Sequence, residues 1–269
     1  MLDVSKAENY VLSPVLAKYT GLYHIINPDC PRLGGLNISH LMAAVSVAFT
    51  VTCLACCPIG FYHWANDTTQ LVLQMTAFTN FLLGCYKTVT IVRHSDDIRT
   101  LLDVTRIDFV STDRQSFRAL RECRAVSSTF IVWFAAFNYC VLLAWTLLPM
   151  VVNDKHVWVK NRDGTFSSYQ LNPFNMFFLV SSDTYNRWHI AFHVVELLLG
   201  LCFALSLILF DTFMVIMCFS VTSQLKLIAD SYENLGHAEI YDHGSGKKNA
   251  KACSKDLKSI IKKHQKVMG

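Results

Sequence analysis

Residues 125–153 read AVSSTFIVWFAAFNYCVLLAWTLLPMVVN, a run without a single Asp, Glu, Lys or Arg. A helix needs about 20 mostly apolar residues to cross the hydrocarbon core of a bilayer, and this run is long enough. Three further stretches share its character. Between Leu33 and Asn66 there is no charged residue; the apolar centre is 41–61, with Pro58 and Gly60 near its end, where a helix stops cheaply. A second uncharged run, Thr68 to Tyr86, continues past Lys87 to Val92. It predicts a span over about 70–92, with the lysine snorkelling to the nearby interface. The fourth covers about 188–210, with Glu196 as its only acid before Asp211. Apolar helical patterning persists to Ile228, which predicts one long helix leaving the membrane.

The fold class that follows is all-α: a polytopic membrane helical bundle of about four spans, at about 41–61, 70–92, 126–152 and 188–210. Residues 1–38 form an N-terminal segment, 39–221 the bundle, and 222–269 a helix extension with a basic tail. Composition agrees. The chain is 52% hydrophobic and only 16% charged, against about 25% charged in soluble domains. A net charge of +4 gives nucleic-acid binding no support. Asp3, Lys6, Glu8, Lys18 and Asp29 punctuate the start, which lacks the basic-then-apolar order of a secretory signal. The first span is therefore expected to insert as its own signal.

The connections differ in kind. Asn66 to Thr69 reads as a tight turn. Arg93 to Arg124 is basic, and Ile98, Leu101, Leu102 and Phe109 recur at helical spacing. Residues 152–187 read as a long polar loop with a turn at Asn161–Gly164, and 236–255 as a flexible linker. Lys and Arg distribution sets orientation. The N-terminal segment, the second connection and the tail hold nineteen between them, and the other two connections hold four. Both termini are thus expected on the cytoplasmic side of the plasma membrane. None of the ten cysteines falls in the expected exterior loops, so no exterior disulfide is available.

Several local patterns invite a functional reading. His189, His193 and Glu196 share one helix face, but one face supplies too few ligands for a metal centre. Gly244-Ser245-Gly246-Lys247-Lys248 misses the spacing of a phosphate loop. With no nucleophile elbow or complete metal-ligand set either, an enzyme is the least supported class, and no catalytic residue, metal or cofactor is assigned. Asn66-Asp67-Thr68 is a glycosylation acceptor on the expected outer side. Acids at membrane depth default to a functional hypothesis, and Glu196 is one. Asn138, Val141 and Trp145 fall on one face of the third span, at comparable depth to Phe78 and Phe192. Together with Phe81 they outline an apolar pocket with few polar anchors, the usual form of a small-molecule site. Interhelix packing or an aromatic belt is the competing explanation.

Taken together, several segments resemble the insect odorant receptor family, whose members have seven helices and an intracellular N-terminus. They are Cys85-Tyr-Lys-Thr-Val-Thr-Ile-Val-Arg93 with Ile98-Arg-Thr-Leu-Leu102, Leu148-Pro149, Asp211-Thr-Phe213 with Gln224-Leu-Lys-Leu227, and Leu257-Lys-Ser-Ile-Ile-Lys-Lys-His-Gln265. The resemblance implies an odorant-gated cation channel subunit that assembles with an obligate co-receptor. It also implies a volatile ligand in the outer half of the bundle, at Phe78, Asn138, Val141, Trp145, Phe192 and Glu196. The likeness covers the first four of seven helices, so the chain is expected to be part of a longer receptor rather than a short natural form. Two other readings stay open: a gustatory receptor of the same superfamily, and a non-conducting four-helix scaffold or regulator of receptor assembly.

Overall fold

The computed structural model describes residues 17–18, 21–26, 31–33, 36–102, 114–152, 156–233, 235 and 246–268. The protein is an all-α membrane helical bundle carrying two small antiparallel hairpins. In chain order the elements are α1 (Leu22–Ile26), β1 (Arg32–Leu33), β2 (Leu36–Asn37), α2 (Ile38–Leu54), α3 (Cys57–His63), α4 (Thr68–Arg93) and α5 (Ser95–Leu101). They continue with α6 (Arg114–Val151), β3 (His156–Lys160), β4 (Phe166–Gln170), α7 (Ser182–Arg187), α8 (His189–Glu233) and α9 (Gly246–Met268).

Among the described residues, three helical stretches are long and apolar enough to cross a membrane: Ile38–His63, Arg121–Val151 and His189–Glu233. They coincide with the first, third and fourth expected spans. The first is not one helix. It breaks at Ala55–Cys56, where Pro58, at the start of α3, has no N–H to continue the ladder. The fourth reaches 45 residues, about 67 Å of helix at 1.5 Å per residue. That is twice the hydrocarbon thickness, as expected for a helix that leaves the membrane.

The second expected span, α4, has 26 residues and is long enough, but Gln70, Gln74 and Asn80 and its threonines dilute its apolarity. Those groups are satisfied only in part: Gln74 Nε2 donates to the Asn175 carbonyl (3.3 Å), while Gln70 Oε1 and Gln74 Oε1 meet no hydrogen-bond partner among the described residues. Gln70 and Gln74 are buried. The hydroxyls of Thr76, Thr79 and Thr88 donate to the carbonyls of Val72, Met75 and Gly84 four residues back. Spending a hydroxyl on its own helix is the cheapest solution where water is absent.

Three connections differ from expectation. Residues 152–187 are not simply a polar loop. They fold into the β3–β4 hairpin, whose turn at Asn161–Gly164 is as expected, then a buried segment and α7. Gly164 takes φ +86°, the left-handed geometry that closes the turn. The supposed linker at 236–255 is helical from Gly246 onward, within α9; residues 236–245 lie outside the described ones. In the second connection Ile98 and Leu102 are buried around α5, and Phe109 lies outside the described residues.

The chain divides into two compact units. One contains His24–Ser95 and Val132–Thr212. In it α2 and α3 pack along α4, and Cys53, Leu54, Cys57, Ala77, Phe81 and Leu199 form a core into which the loop residue Met176 inserts. Between α4 and α8, Lys87 Nζ meets Asp211 Oδ1 at 2.6 Å, and Thr88 Oγ1 meets Ser206 Oγ at 2.6 Å. The other unit contains Asp96–Ile131, Phe213–Gly269 and the described part of Met1–Tyr23. There Ile260 of α9 packs against Ile228 and Leu235, and Ser223 Oγ donates to Cys123 Sγ at 2.8 Å.

Two expectations test this packing. A Cβ at Gly60 would stand 2.6 Å from Gln74 Oε1 and 2.7 Å from Phe177 Cβ. Gly60→Ala is expected to cost roughly 1–3 kcal/mol by overpacking, read as a lower Tm in detergent. Gly200→Ala, which meets only the flexible end of Leu142 at comparable range, should be milder. Second, Lys87→Met or Asp211→Asn alone strands one charge, whereas the double variant strands none. The double variant should melt above either single one, with a coupling on the order of 1 kcal/mol.

Candidate functional site

The site begins with the segment Asn172–Val180, NPFNMFFLV. It is largely apolar, and Asn172, Asn175, Met176 and Phe177 are buried. A loop that enters the core takes its backbone N–H groups away from water, and each must find an acceptor. Here one side chain of α8 supplies it. The N–H groups of Phe174 (2.6 Å) and Asn175 (3.2 Å) donate to Glu196 Oε2, and that of Met176 (2.9 Å) donates to Oε1. Asn175 adopts φ 45°, a left-handed conformation that asparagine tolerates. Successive N–H groups turned toward one point form a concave anion-binding nest, and Glu196, itself fully buried, fills it.

A second layer steadies this contact. The backbone N–H of Asn172 donates to Asn175 Oδ1 (2.8 Å), and Asn172 Nδ2 donates to the Tyr185 hydroxyl (2.6 Å). His193 Nδ1 lies 3.3 Å from Asn172 Oδ1, and Gln74 Nε2 donates to the Asn175 carbonyl (3.3 Å). Burial first, and then the charge of Glu196, push the Tyr185 pKa up, so the hydroxyl stays protonated.

Aromatic rings surround the seated loop. Trp145 Nε1 donates to the Pro173 carbonyl, and its ring stacks on Phe174 at 6.3 Å. Phe174 meets Phe81 edge-on at 5.1 Å, and Phe81 meets Phe203 at 5.7 Å. Phe192 stacks on both Phe178 and Tyr185 at 4.9 Å. Phe78 meets Phe61 edge-on at 5.7 Å, beside the core that holds Met176.

Of the six residues singled out from sequence, Trp145, Phe192 and Glu196 therefore touch the loop, and Phe78 borders the same core. Asn138 Nδ2 donates to the Phe134 carbonyl of its own helix (2.8 Å). Val141 and Trp145 are 46% and 43% exposed. Asn66 is exposed, and its Nδ2, the atom a glycan would use, donates to the carbonyls of Arg162 (2.9 Å) and Asn161 (3.4 Å). That bond holds the hairpin turn to the α3–α4 corner. The loop itself was the missed element. Its signal was an apolar string inside a stretch otherwise read as polar.

Two small cavities lie among the described residues of this unit. One cavity of about 10 Å³ lies among Thr50, Cys85, Thr88, Cys202 and Ser206, and another of about 10 Å³ among Trp64, Gln70, Tyr169 and Tyr185. Each has room for about one water, not for an odorant. The arrangement fixes the shape of an aromatic wall.

Glu196→Gln keeps the size of the side chain but aims an amide donor at backbone donors. It is expected to cost roughly 2–4 kcal/mol. Hydrogen exchange should accelerate at the amides of 174–176 and leave the α9 amides unchanged.

Residues 67–269 match the model of a family described as 7tm odorant receptor. No curated protein matches the chain. The match runs over most of the chain, from the start of α4 to the last residue, and agrees with a membrane helical bundle. The chain belongs to the 7tm odorant receptor family.

Proposed function

We propose that the chain is the ligand-binding part of an odorant receptor subunit in a ligand-gated cation channel. The observation that carries this reading is the loop seated by Glu196, which gathers Trp145, Phe174, Phe178 and Phe192 at one end of the bundle. Such a wall offers a small volatile molecule large apolar surface and few polar anchors. The α6 face of Asn138, Val141 and Trp145 supplies contact surface, since Val141 and Trp145 remain substantially exposed. Phe78 backs the wall through Phe61. In this reading Glu196 is a positioning residue: its carboxylate is spent on the loop, and it acts on the ligand through Phe174.

The distribution of Lys and Arg supports a plasma-membrane orientation with the N-terminus cytoplasmic and the β3–β4 hairpin outside. Conduction belongs to the complete seven-helix receptor assembled with its co-receptor. The family match supports the odorant over the gustatory branch, and no observation favours a scaffold.

The test is whole-cell recording from cells expressing the complete receptor and co-receptor. A panel of volatiles should evoke cation current. Trp145→Ala should raise the half-maximal concentration of active odorants about tenfold, the loss of roughly 1.4 kcal/mol of ring contact. Surface-expressed receptor that is silent to the whole panel, or sensitivity unchanged by Trp145→Ala, would count against the proposal.

A further inference from the structure

A second, larger concavity lies outside this aromatic wall. It is an open groove of about 620 Å³ between the end of α3, the β3–β4 turn and the segment before α7. Its size is that of a small-molecule site. The groove combines one cation with apolar rings. The Arg162 guanidinium lies 4.0 Å from the centroid of the Tyr62 ring. The His63 ring stacks on Phe177 at 5.1 Å.

Arg162 is held in place to an unusual degree for an exposed arginine. Its backbone N–H donates to the His63 carbonyl (2.9 Å), and its own carbonyl accepts from Asn66 Nδ2 (2.9 Å). Among the described residues no carboxylate pairs with its guanidinium. The neighbouring Asp163 is turned into the hairpin, where it accepts from the Thr165 hydroxyl (2.6 Å) and backbone N–H (2.9 Å). A guanidinium on an anchored backbone, laid over a ring and paired with no carboxylate among the described residues, is an arrangement that recognises a planar carboxylate attached to an apolar body.

We propose that this groove is a binding site for small organic carboxylates, separate from the odorant wall. The carboxylate pairs with Arg162, and the apolar body lies against Tyr62 and Phe177. Asp163 lines the same groove and weakens anion binding by like-charge repulsion.

The proposal is tested on the purified chain by saturation-transfer NMR, titrating phenylacetate and its neutral analogue phenylacetamide. Measurements are made in maltoside detergent and in phosphatidylcholine nanodiscs. Phenylacetate is expected to bind saturably and about fivefold more tightly than the amide, the scale of an exposed ion pair. Arg162→Gln should erase that difference at unchanged Tm, and Asp163→Asn should widen it. Equal binding of the two probes, binding of neither, or a preference that survives Arg162→Gln would overturn the proposal. A preference seen in detergent alone would assign Arg162 to a lipid headgroup phosphate and would overturn it too.

Discussion

One carboxylate seats the loop around which the aromatic side chains of this unit pack. Glu196 sits on an apolar helix, fully buried, where an uncompensated charge would be costly. Asn172–Val180 has the complementary problem, since a buried loop has N–H groups with no water to receive them. Three hydrogen bonds solve both at once. Charge-assisted bonds of this kind are roughly twice as strong as neutral ones. Once the loop is seated, the positions of Phe174, Met176 and Phe178 follow, and with them the rings that pack against each.

The same economy recurs at several other positions, although Thr212 Oγ1 and Ser220 Oγ of α8 are buried without a hydrogen-bond partner among the described residues. Hydroxyls in the apolar helices donate to carbonyls one turn back, as at Thr50, Thr146 and Ser206. The two charges at the far end of α4 and in α8 meet as Lys87 and Asp211. In lipid-like surroundings polar groups are affordable where their partners are fixed in advance. In α4 this holds for the threonines, whose hydroxyls bond within the helix, while Gln70 Oε1 and Gln74 Oε1 are buried without a partner among the described residues.

Much of this was legible from the chain. Long uncharged runs announce helices because nothing else satisfies the backbone in lipid, and α6 and α8 appear where those runs are. The unbroken course of α8 past Asp211 followed from continued apolar periodicity. Other features were not legible. The break at Ala55–Cys56 needed the knowledge that Pro58 opens a new helix rather than ending the old one. The mean polarity of 152–187 hid an apolar loop of a few residues. Glu196 was marked as significant because acids at such depth need a reason, but the sequence has no means of showing that the reason is three amides of a loop some twenty positions earlier. In the structure its carboxylate is committed to that loop.

The account stands or falls on that contact. The most direct measurement is a high-resolution cryo-electron microscopy map that includes this chain in a lipid nanodisc, read at Glu196. The account predicts the carboxylate within about 3.2 Å of the amides of Phe174, Asn175 and Met176, with Trp145 on the Pro173 carbonyl. A map in which Asn172–Val180 lies outside the bundle, and Glu196 faces a ligand, lipid or another helix, would contradict it.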